Sequence, residues 1–381
     1  MNKAIIAVAG AGKTYDICKT VLETSTSKKI LLTTFTNNGV RSIAKEYKKQ
    51  NCGILSENVV IKTWFGFMLS DLIRPYQRSL TKKEYAVKGY NYMDALPSYI
   101  YRLSRDNPKY YLDSSGHVYS KNASELALKC DEISNGAVIK RLEEIYSHIF
   151  IDEVQDISGY DYSWLLKLCD SKIKVVMVGD YKQTIFSTNS KNIHSNKTGA
   201  NLLIGLEELE TCGKLKIEKN NKTLRFNHHI ASFANCIFEQ REYDIVSNAI
   251  MDDYDGVFII TDADYHDYVA EMGHTVFLRL NKTDKRLAVL SPIESYNFGE
   301  CKGMTFDRVV ISTSTKTLKD YIVNNKGLAP LTKAKYYIAL TRARKSVVIV
   351  MDKLPTTMSG FVPVEINCNS KVIKLLKYRP D

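Results

Sequence analysis

The sequence lacks any apolar run that approaches the roughly 18 residues of a membrane-spanning helix. It also lacks a signal-peptide pattern, because the first predicted strand begins almost at the N-terminus. The eight cysteines form no C-x-x-C pair, which argues against a zinc site and a disulfide framework. The seven histidines include no H-E-x-x-H, and the pair His228-His229 is typical of polar surface. We therefore expect reduced thiols and a cytoplasmic protein.

Acidic residues are in the minority. The chain has 53 Lys and Arg against 42 Asp and Glu, a net charge of +11. This surplus predicts an acidic partner, most simply nucleic acid, although a charge that serves only solubility would give the same total. The distribution favours nucleic acid, because residues 315–345 carry eight basic side chains and one acid, Asp320.

Length and composition indicate more than one domain. The 381 residues exceed one ordinary hydrophobic core and are enough for two or three domains. The apolar share of 44% is normal for a globular protein.

An apolar run over residues 145–151 predicts a short buried strand that ends in an acidic turn. The turn reads Asp152-Glu153-Val154-Gln155-Asp156. One carboxylate, Asp152, can hold Mg²⁺, while the next, Glu153, orients or deprotonates a water. A plain strand with an acidic turn is the alternative, and the Asp-Glu pair alone does not decide between them.

The first predicted strand, residues 4–8, decides in favour of a nucleotide site. It is followed by Ala9-Gly10-Ala11-Gly12-Lys13-Thr14 and then by a predicted helix. This is the phosphate-binding pattern G-x-x-x-x-G-K-[ST], with Ala7 in place of the first glycine. Gly10 and Gly12 let backbone N–H groups face phosphate oxygens, Lys13 reaches the β- and γ-phosphates, and Thr14 ligates Mg²⁺.

Two further predicted strands, residues 30–35 and 59–61, end beside aromatic and hydroxyl side chains. The segments that follow include Phe35-Thr36-Asn37 and Lys62-Thr63-Trp64-Phe65. Aromatic faces accept stacked bases, and Thr and Asn side chains hold phosphates, so both ends are candidate nucleic-acid contacts. The alternative is that the three aromatic residues belong to the core.

A strand predicted at residues 173–178 leads to another nucleotide-related segment. It reads Gly179-Asp180-Tyr181-Lys182-Gln183-Thr184-Ile185-Phe186. The amide of Gln183 can contact either a γ-phosphate or the water that attacks it. Its hydrogen bonding can therefore report which of the two is present in the site.

The remaining pattern predicts an α/β fold. Residues 70–145 are rich in tyrosine and show no strand–helix rhythm, which indicates a small, mainly helical insertion. Strands and helices alternate again after residue 213, with strands predicted at 257–260, 275–278, 288–290, 309–311 and 347–350. We therefore predict two domains, 1–212 and 213–381, each built on a parallel sheet.

The order of the motifs resembles that of the UvrD/Rep-like superfamily 1 DNA helicases over nearly the whole chain. In that family two RecA-like P-loop NTPase domains clasp ATP and Mg²⁺ in the cleft between them and carry single-stranded DNA. Residues 10–14 look like its phosphate loop, Asp152-Glu153-x-Gln155-Asp156 is similar to its DExQD box, and residues 179–186 match its coupling motif. The last match implies that Phe186 stacks on a base.

The resemblance also implies roles for other residues. Thr34-Phe35-Thr36-Asn37 and Lys62-Thr63-Trp64-Phe65 look like the DNA-contacting motifs. Arg225 looks like the γ-phosphate arginine of the fourth motif. Lys302-Gly303-Met304-x-Phe306 resembles the fifth, with Lys302 on DNA and Gly303 on ATP. Arg342, within Tyr337–Arg344, would be the arginine finger that stabilises charge on the transferring phosphoryl group.

Several positions depart from the family pattern. The phosphate loop begins too close to Met1 for the upstream glutamine motif that reads adenine. Leu224 replaces the base-stacking tyrosine, Thr305 replaces a glutamate, and a histidine position holds Gly299. A frequent Trp-Arg pair is replaced by Thr188-Asn189, and the interval from Arg225 to Lys302 is short for a large accessory domain. Phosphate chemistry therefore looks complete, whereas base and ribose recognition look reduced.

These observations predict an ATP-dependent translocase on single-stranded or tailed duplex DNA, with 3′→5′ polarity implied by resemblance alone. A DNA-activated NTPase switch that serves a nuclease or phage-related system, without robust unwinding, is the alternative. A binding module with an inactive cleft is disfavoured, because the basic and acidic residues of the nucleotide motifs are all present. A P-loop kinase or GTPase does not explain the second sheet and its arginines.

Overall fold

The computed structural model describes residues 1–81, 86–93, 95–189, 191–284, 294–368 and 371–380. The strand predicted at residues 288–290 lies outside these ranges. Contacts divide the chain into two compact units. The first contains Met1–Ile6, Lys13–Tyr181 and Phe186–Glu218, and the second contains Ala7–Gly12, Lys182–Ile185 and Lys219–Asp381. Most of the phosphate loop and the segment around Gln183 therefore belong to the second unit.

The first unit has a six-stranded sheet and a separate two-stranded pair. Its strands are β1 (Asn2–Ala7), β2 (Lys29–Thr34), β3 (Val59–Thr63), β4 (Gly89–Asn91), β5 (His117–Tyr119), β6 (Tyr146–Asp152), β7 (Lys174–Gly179) and β8 (Leu215–Asn220). The large sheet has the order β3-β2-β6-β7-β1-β8. Strands β3, β2, β6, β7 and β1 pair in parallel in that order. Their carboxyl ends therefore meet at one edge, and every motif predicted in this half of the chain follows one of them.

Helices flank this sheet, and two helices that directly follow strands begin at a threonine cap. The longer ones are Lys13–Glu23, Asn37–Gln50, Ala123–Ile133, Ala137–Ile145, Gly159–Cys169 and Leu202–Thr211. The Thr36 side chain accepts a hydrogen bond from the Gly39 N–H at 3.0 Å and caps the helix Asn37–Gln50. Thr63 does the same for the short helix Trp64–Phe67, accepting from the Gly66 N–H at 3.0 Å. Both caps satisfy orphan N–H groups directly after a strand.

The interval between β3 and β6 holds the insertion. It contains a π-helical turn at Met68–Ile73, the short helix Gln77–Thr81 and the helices Ala123–Ile133 and Ala137–Ile145. It also contains β4 and β5, which pair in parallel with Tyr90 opposite Val118. The sequence patterns gave no indication of this strand pair.

The second unit is built on a seven-stranded sheet. Its strands are β9 (Lys222–Thr223), β10 (Val246–Ser247), β11 (Gly256–Thr261), β12 (Thr275–Arg279), β13 (Ser295–Asn297), β14 (Phe306–Ser312), β15 (Ala343–Met351), β16 (Phe361–Cys368) and β17 (Lys371–Tyr378). The order is β13-β12-β14-β15-β11-β17-β16, while β9 and β10 form a separate pair. The first five strands of the sheet are parallel, and the hairpin β16–β17 joins β11 in antiparallel orientation.

Apolar runs form the centre of this sheet, as expected for strands covered on both faces. Phe258, Phe277, Val310 and Val348 pack with Tyr268 of the helix Tyr265–Met272 in one buried cluster. The other helices of eight or more residues described in this unit are His228–Asn235, Lys316–Asn324 and Pro330–Leu340. The predicted α/β class with two mainly parallel sheets is confirmed.

Among the described residues, no helix combines the length and apolar character needed to cross a membrane.

Candidate functional site

The phosphate-loop segment can adopt its conformation only because of its glycines. Gly10 and Gly12 have φ values of +76° and +81°, which side chains rarely tolerate. A Cβ atom on Gly10 would lie 2.5 Å from the Thr223 Oγ1 and 2.6 Å from the Arg225 Cβ. The Leu224 N–H donates to the Gly10 carbonyl at 2.9 Å, so loop and β9 segment are tied together within the second unit.

The loop leads directly into a helix N-terminus. The helix Lys13–Glu23 begins one residue after Gly12, so Lys13 and Thr14 occupy its first turn. The first N–H groups of a helix have no partner within it and carry partial positive charge. The arrangement of strand, glycine loop and helix N-terminus is suited to an anion such as a phosphate group.

The acidic turn after β6 is held by its own glutamine. Asp152 is buried and accepts a hydrogen bond from the Glu153 N–H at 2.9 Å. Glu153 has a left-handed backbone, with φ at +59°, which is uncommon for a side-chain-bearing residue. The Gln155 Nε2 donates to the Glu153 carboxylate, and its Oε1 accepts from the Asp180 N–H at 3.1 Å.

Gly179 at the end of β7 allows this approach. A Cβ atom there would lie 2.4 Å from the Gln155 Oε1. The Gln155 side chain thus links the carboxyl ends of two adjacent strands of the first unit and restricts where Glu153 points. A positioned, partly exposed carboxylate beside a buried one is what metal-assisted activation of water requires.

Two predicted arginines of the second unit converge on one threonine. The Arg225 Nη1 donates to the Thr341 carbonyl oxygen at 3.0 Å. The Arg342 Nη2 lies 3.3 Å from the Thr341 Oγ1 and 3.4 Å from the Gln183 Oε1. Gly10, Arg225, Thr341, Arg342 and Gln183 therefore form one continuous series of contacts within that unit. The sequence patterns did not predict the bridging role of Thr341.

Arg342 is buried and its guanidinium is held by carbonyl groups. Its Nε donates to the Ile338 oxygen at 3.1 Å, and its Nη1 donates to the Met304 oxygen at 3.2 Å. Met304 follows Lys302 and Gly303, so the fifth-motif segment contacts the arginine through its backbone. Gly303 is exposed, with φ at +87°, a conformation that favours glycine.

The polar candidates for nucleic-acid contact lie where β2 and β3 end. Thr34 is buried at the end of β2, whereas Asn37 is exposed at the start of the following helix. Thr63 ends β3 and uses its hydroxyl as a helix cap. Because the two strands are parallel neighbours, Thr34 and Thr63 are paired in register.

The aromatic candidates differ in exposure. Phe186 is 57% exposed, and Phe35 and Phe65 are half-buried. Trp64 is fully buried, and its Nε1 donates to the Asp161 Oδ1 at 2.8 Å. The expectation that Trp64 stacks on a base therefore needs correction, because a ring enclosed in the core has no face open to a ligand. Strand alternation cannot reveal this, since Trp64 lies at the start of a helix.

Comparisons with known proteins now fix the family. The family model described as the viral superfamily 1 RNA helicase core domain matches residues 135–351, more than half of the chain. The chain belongs to the superfamily 1 helicases. The UvrD/REP helicase N-terminal domain model matches residues 68–198 of this helicase chain. The family recognised from the sequence motifs is thereby confirmed.

Individual relatives match shorter stretches of this superfamily 1 helicase. DNA helicase II of Escherichia coli (strain K12) is 26% identical over 118 residues, which are 30% of this chain and 15% of the relative. DNA helicase II of Salmonella typhimurium (strain LT2) is 24% identical over 135 residues, 35% of this chain and 18% of the relative. The matched segment thus spans less than a fifth of either relative.

A solved structure also aligns with this helicase. It is the complex of the arterivirus nonstructural protein 10 helicase with DNA, with a TM-score of 0.48 and 13% identity. The alignment covers 92% of this chain and 61% of that protein.

The structure of this helicase also reveals a buried carboxylate, Asp161, that the motifs did not predict. It accepts hydrogen bonds from the Trp64 Nε1 and from the Ser124 hydroxyl of the insertion. Burial raises the pKa of Asp161, while hydrogen bonds from Ser124, Thr188 and Trp64 act to lower that pKa. Asp161 thus joins the end of β3, the insertion and the segment after Phe186. The sequence feature that could have indicated this role is an acidic residue, Asp161, among the apolar residues of the helix Gly159–Cys169.

Proposed function

We propose that this superfamily 1 helicase hydrolyses ATP with Mg²⁺ and uses the hydrolysis to move along single-stranded DNA, with 3′→5′ polarity. The carrying observation is the contact series Gly10–Arg225–Thr341–Arg342–Gln183 in the second unit. It brings a phosphate-loop glycine together with two arginines and a glutamine, which are the groups that act on a transferring phosphoryl group.

The phosphate groups would be held first by backbone donors. Gly10 and Gly12 supply the left-handed turns, and the helix that begins at Lys13 would present the N–H groups of its first turn. The Lys13 ammonium, at the same helix end, would add a positive charge on the terminal phosphates. These contacts require no particular base.

The residues present fit a magnesium ion that is bound mainly by the nucleotide. Thr14 offers a hydroxyl and Asp152 a buried carboxylate, both hard oxygen ligands. Mg²⁺ usually keeps several waters and is held by one or two protein groups together with the phosphates of the nucleotide. When bound, the ion would neutralise charge on the phosphate oxygens.

Glu153 is proposed as the general base. The Gln155 amide donates to its carboxylate, and the left-handed backbone fixes its direction. Arg225 and Arg342 would then stabilise the charge that develops on the phosphoryl oxygens. Because Arg342 and Gln183 are hydrogen-bonded, loss of the γ-phosphate would alter the surroundings of both side chains.

The nucleic-acid contact is proposed to use Phe35, Phe65 and Phe186 for base stacking. Thr34, Asn37, Thr63 and Lys302 would contact phosphates or position the groups that do. A single strand is favoured, because aromatic stacking requires unpaired bases. Trp64 is left out of this set, since it is enclosed in the core.

The direct test is the NTPase rate alone, with oligo-dT and with an RNA of the same length. We expect stimulation by oligo-dT and a loss of about 10²–10⁴-fold in turnover for Glu153→Gln, with nucleotide binding retained. Turnover of Glu153→Gln at the parent rate would reject the proposed base. Stimulation by RNA but not by DNA would reject the proposed substrate.

A strand-displacement assay on tailed duplex DNA separates a helicase from an NTPase switch. We expect displacement when the tail is a 3′ overhang, because the proposed movement runs 3′→5′. NTPase stimulation without displacement on either tail would favour the switch.

A further inference from the structure

An aromatic cluster joins the end of β3 to the insertion. The rings of Phe65, Tyr90 and Tyr92 have centroids 5.4 Å (Phe65–Tyr90), 6.2 Å (Phe65–Tyr92) and 5.7 Å (Tyr90–Tyr92) apart. The Tyr90 hydroxyl donates to the Phe65 carbonyl oxygen at 2.8 Å. This bond fixes β4 of the insertion against the segment that follows β3.

Ring geometry leaves one member open to solvent. Phe65 meets both tyrosines edge to face, at interplanar angles of 81° and 76°. Tyr92 is 70% exposed, although its ring is in contact with two others. A largely uncovered ring that is held against two other rings is well suited to receive another flat ring.

The segment around β4 places a cation and an acid on opposite sides. Lys88 directly precedes β4, and its N–H continues the strand pairing by donating to the Gly116 carbonyl at 2.9 Å. Side chains alternate along an extended chain, so Lys88 and Tyr90 lie on the same side of this segment. Asn91 lies on the opposite side, and its Nδ2 donates to the Asp113 carboxylate at 2.8 Å. The aromatic side thus carries an exposed cation, whereas the acid is engaged on the other side.

We propose that Phe65, Tyr90 and Tyr92 form a binding platform for unpaired bases, with Tyr92 as the ring on which a base stacks and Lys88 near its phosphate. The proposal rests on the proposed function and extends the nucleic-acid surface from the β3 end into the insertion. Continuity through Phe65, an exposed lysine and the net charge of +11 favour a polyanion with flat rings over an apolar protein surface. Bases within a duplex are already stacked, so the occupant is a single strand.

Binding of fluorescein-labelled oligo-dT to the full chain, followed by anisotropy, tests the platform. Tyr92→Ala should weaken binding by about 5- to 150-fold, the range of one stacked base. Tyr92→Phe keeps the ring and should bind within about twofold of the parent. The matched control is Tyr101→Ala, because Tyr101 is similarly exposed, at 66%, but lies in a separate helical turn, Ser98–Arg102.

A second measurement identifies the contact directly. An oligonucleotide that carries 5-bromodeoxyuridine should photocrosslink to a peptide containing residues 90–92 in the parent and lose that crosslink in Tyr92→Ala.

The outcomes separate the two proposals. A parent protein that binds no oligonucleotide would overturn the proposed function and the platform with it. If the parent binds the oligonucleotide and a folded Tyr92→Ala variant binds it with the same affinity, the platform is overturned while the proposed function stands. The exposed ring would then be a candidate contact for a protein partner. Equal weakening by Tyr101→Ala would also reject it, since the effect would then not depend on the cluster.

Discussion

At the scale of single residues, Arg342 is the buried arginine of the second unit that is proposed to act on the phosphoryl group. A buried guanidinium is retained only when carbonyl and amide groups satisfy its donors, and here Ile338, Met304 and Gln183 do so. The same geometry means that the side chain is oriented before any nucleotide arrives. Pre-oriented donors are the most effective in stabilising a transition state.

The prediction for this residue is a selective loss of turnover. Arg342→Ala should lower kcat by roughly 10³–10⁵-fold while nucleotide binding, measured with a fluorescent ATP analogue, changes far less. Arg225→Ala should act in the same direction. Arg344→Ala is the matched control, because Arg344 is exposed. Its ion pair, from the Nη1 to the Asp307 Oδ1, is long at 3.9 Å. Parent-level hydrolysis by a folded Arg342→Ala protein with DNA present would exclude a finger role.

Leu224 gives a second prediction at this scale. Its backbone N–H is bonded to the Gly10 carbonyl, yet its side chain is 83% exposed beside the phosphate loop. An aliphatic side chain offers a base no hydrogen bond and little stacking. A base other than adenine therefore leaves no polar group of this residue unpaired, and Leu224 provides no selection for ATP. The phosphate contacts, by contrast, are independent of the base.

We therefore expect GTP or CTP to support DNA-stimulated hydrolysis within about tenfold of ATP in kcat/KM, a difference of roughly 1.4 kcal/mol or less. The four nucleotides are compared at subsaturating concentration with oligo-dT present. Leu224→Tyr should raise the preference for ATP, whereas Leu331→Tyr, at another exposed leucine, should not. A preference of the parent for ATP above about a hundredfold would mean that other residues read the base.

At the scale of elements, Asp161 links three segments of the first unit through one carboxylate. Trp64 and Ser124 donate to it, and the Trp164 Nε1 donates to the Ser124 carbonyl oxygen at 3.1 Å. Both tryptophans of the chain are therefore part of this network. Their fluorescence reports unfolding of the first unit specifically.

The network predicts a pH-dependent stability. Because burial raises the pKa of Asp161, the folded state favours its protonated form. The stability contributed by that form is complete below the unfolded pKa of about 3.9 and is lost as the pH rises through the higher folded pKa. Asp161→Asn should therefore gain stability relative to the parent as the pH rises from about 4 toward neutrality.

Urea unfolding followed by tryptophan fluorescence at several pH values measures this effect. The difference should reach about 1.4 kcal/mol for each unit by which the folded pKa exceeds the unfolded pKa. Asp170→Asn is the control, because Asp170 ends the same helix in an exposed ion pair with Lys214. A pH-independent difference for Asp161→Asn would show that Asp161 is charged to the same degree in both states.

Sequence patterns predicted those elements whose apolar runs are continuous. Strands β1, β2, β6 and β7 are mostly buried, and each ends in a motif residue, so the apolar pattern and the motif chemistry agreed. The hairpin β16–β17 gave no such signal, because exposed residues interrupt it, including Pro363 and Glu365 in β16. The residues of the nucleotide motifs could be predicted from their spacing in the sequence. The burial of Trp64 and the contact of Tyr90 with Phe65 could not, because both depend on segments that are distant in the sequence.

At the scale of the whole molecule, the excess positive charge predicts salt-sensitive binding. Each phosphate neutralised on a single strand contributes about 0.7 to the slope of log affinity against log salt. Four such contacts would weaken oligo-dT binding by roughly 50-fold between 50 and 200 mM salt. Titrations at three salt concentrations measure the slope, and an affinity that does not change with salt would exclude phosphate contacts as its source.

The position of β11 within its sheet has a consequence for biosynthesis. Its neighbours are β15 and β17, which lie at residues 343–351 and 371–378, so β11 at 256–261 leaves the ribosome long before either partner exists. Until then it presents two unpaired edges with apolar side chains, the kind of segment that aggregates. A stop codon before Lys371 would leave one edge open permanently. Such a truncated chain should depend on chaperones or accumulate as insoluble protein, even though every nucleotide motif has already been translated.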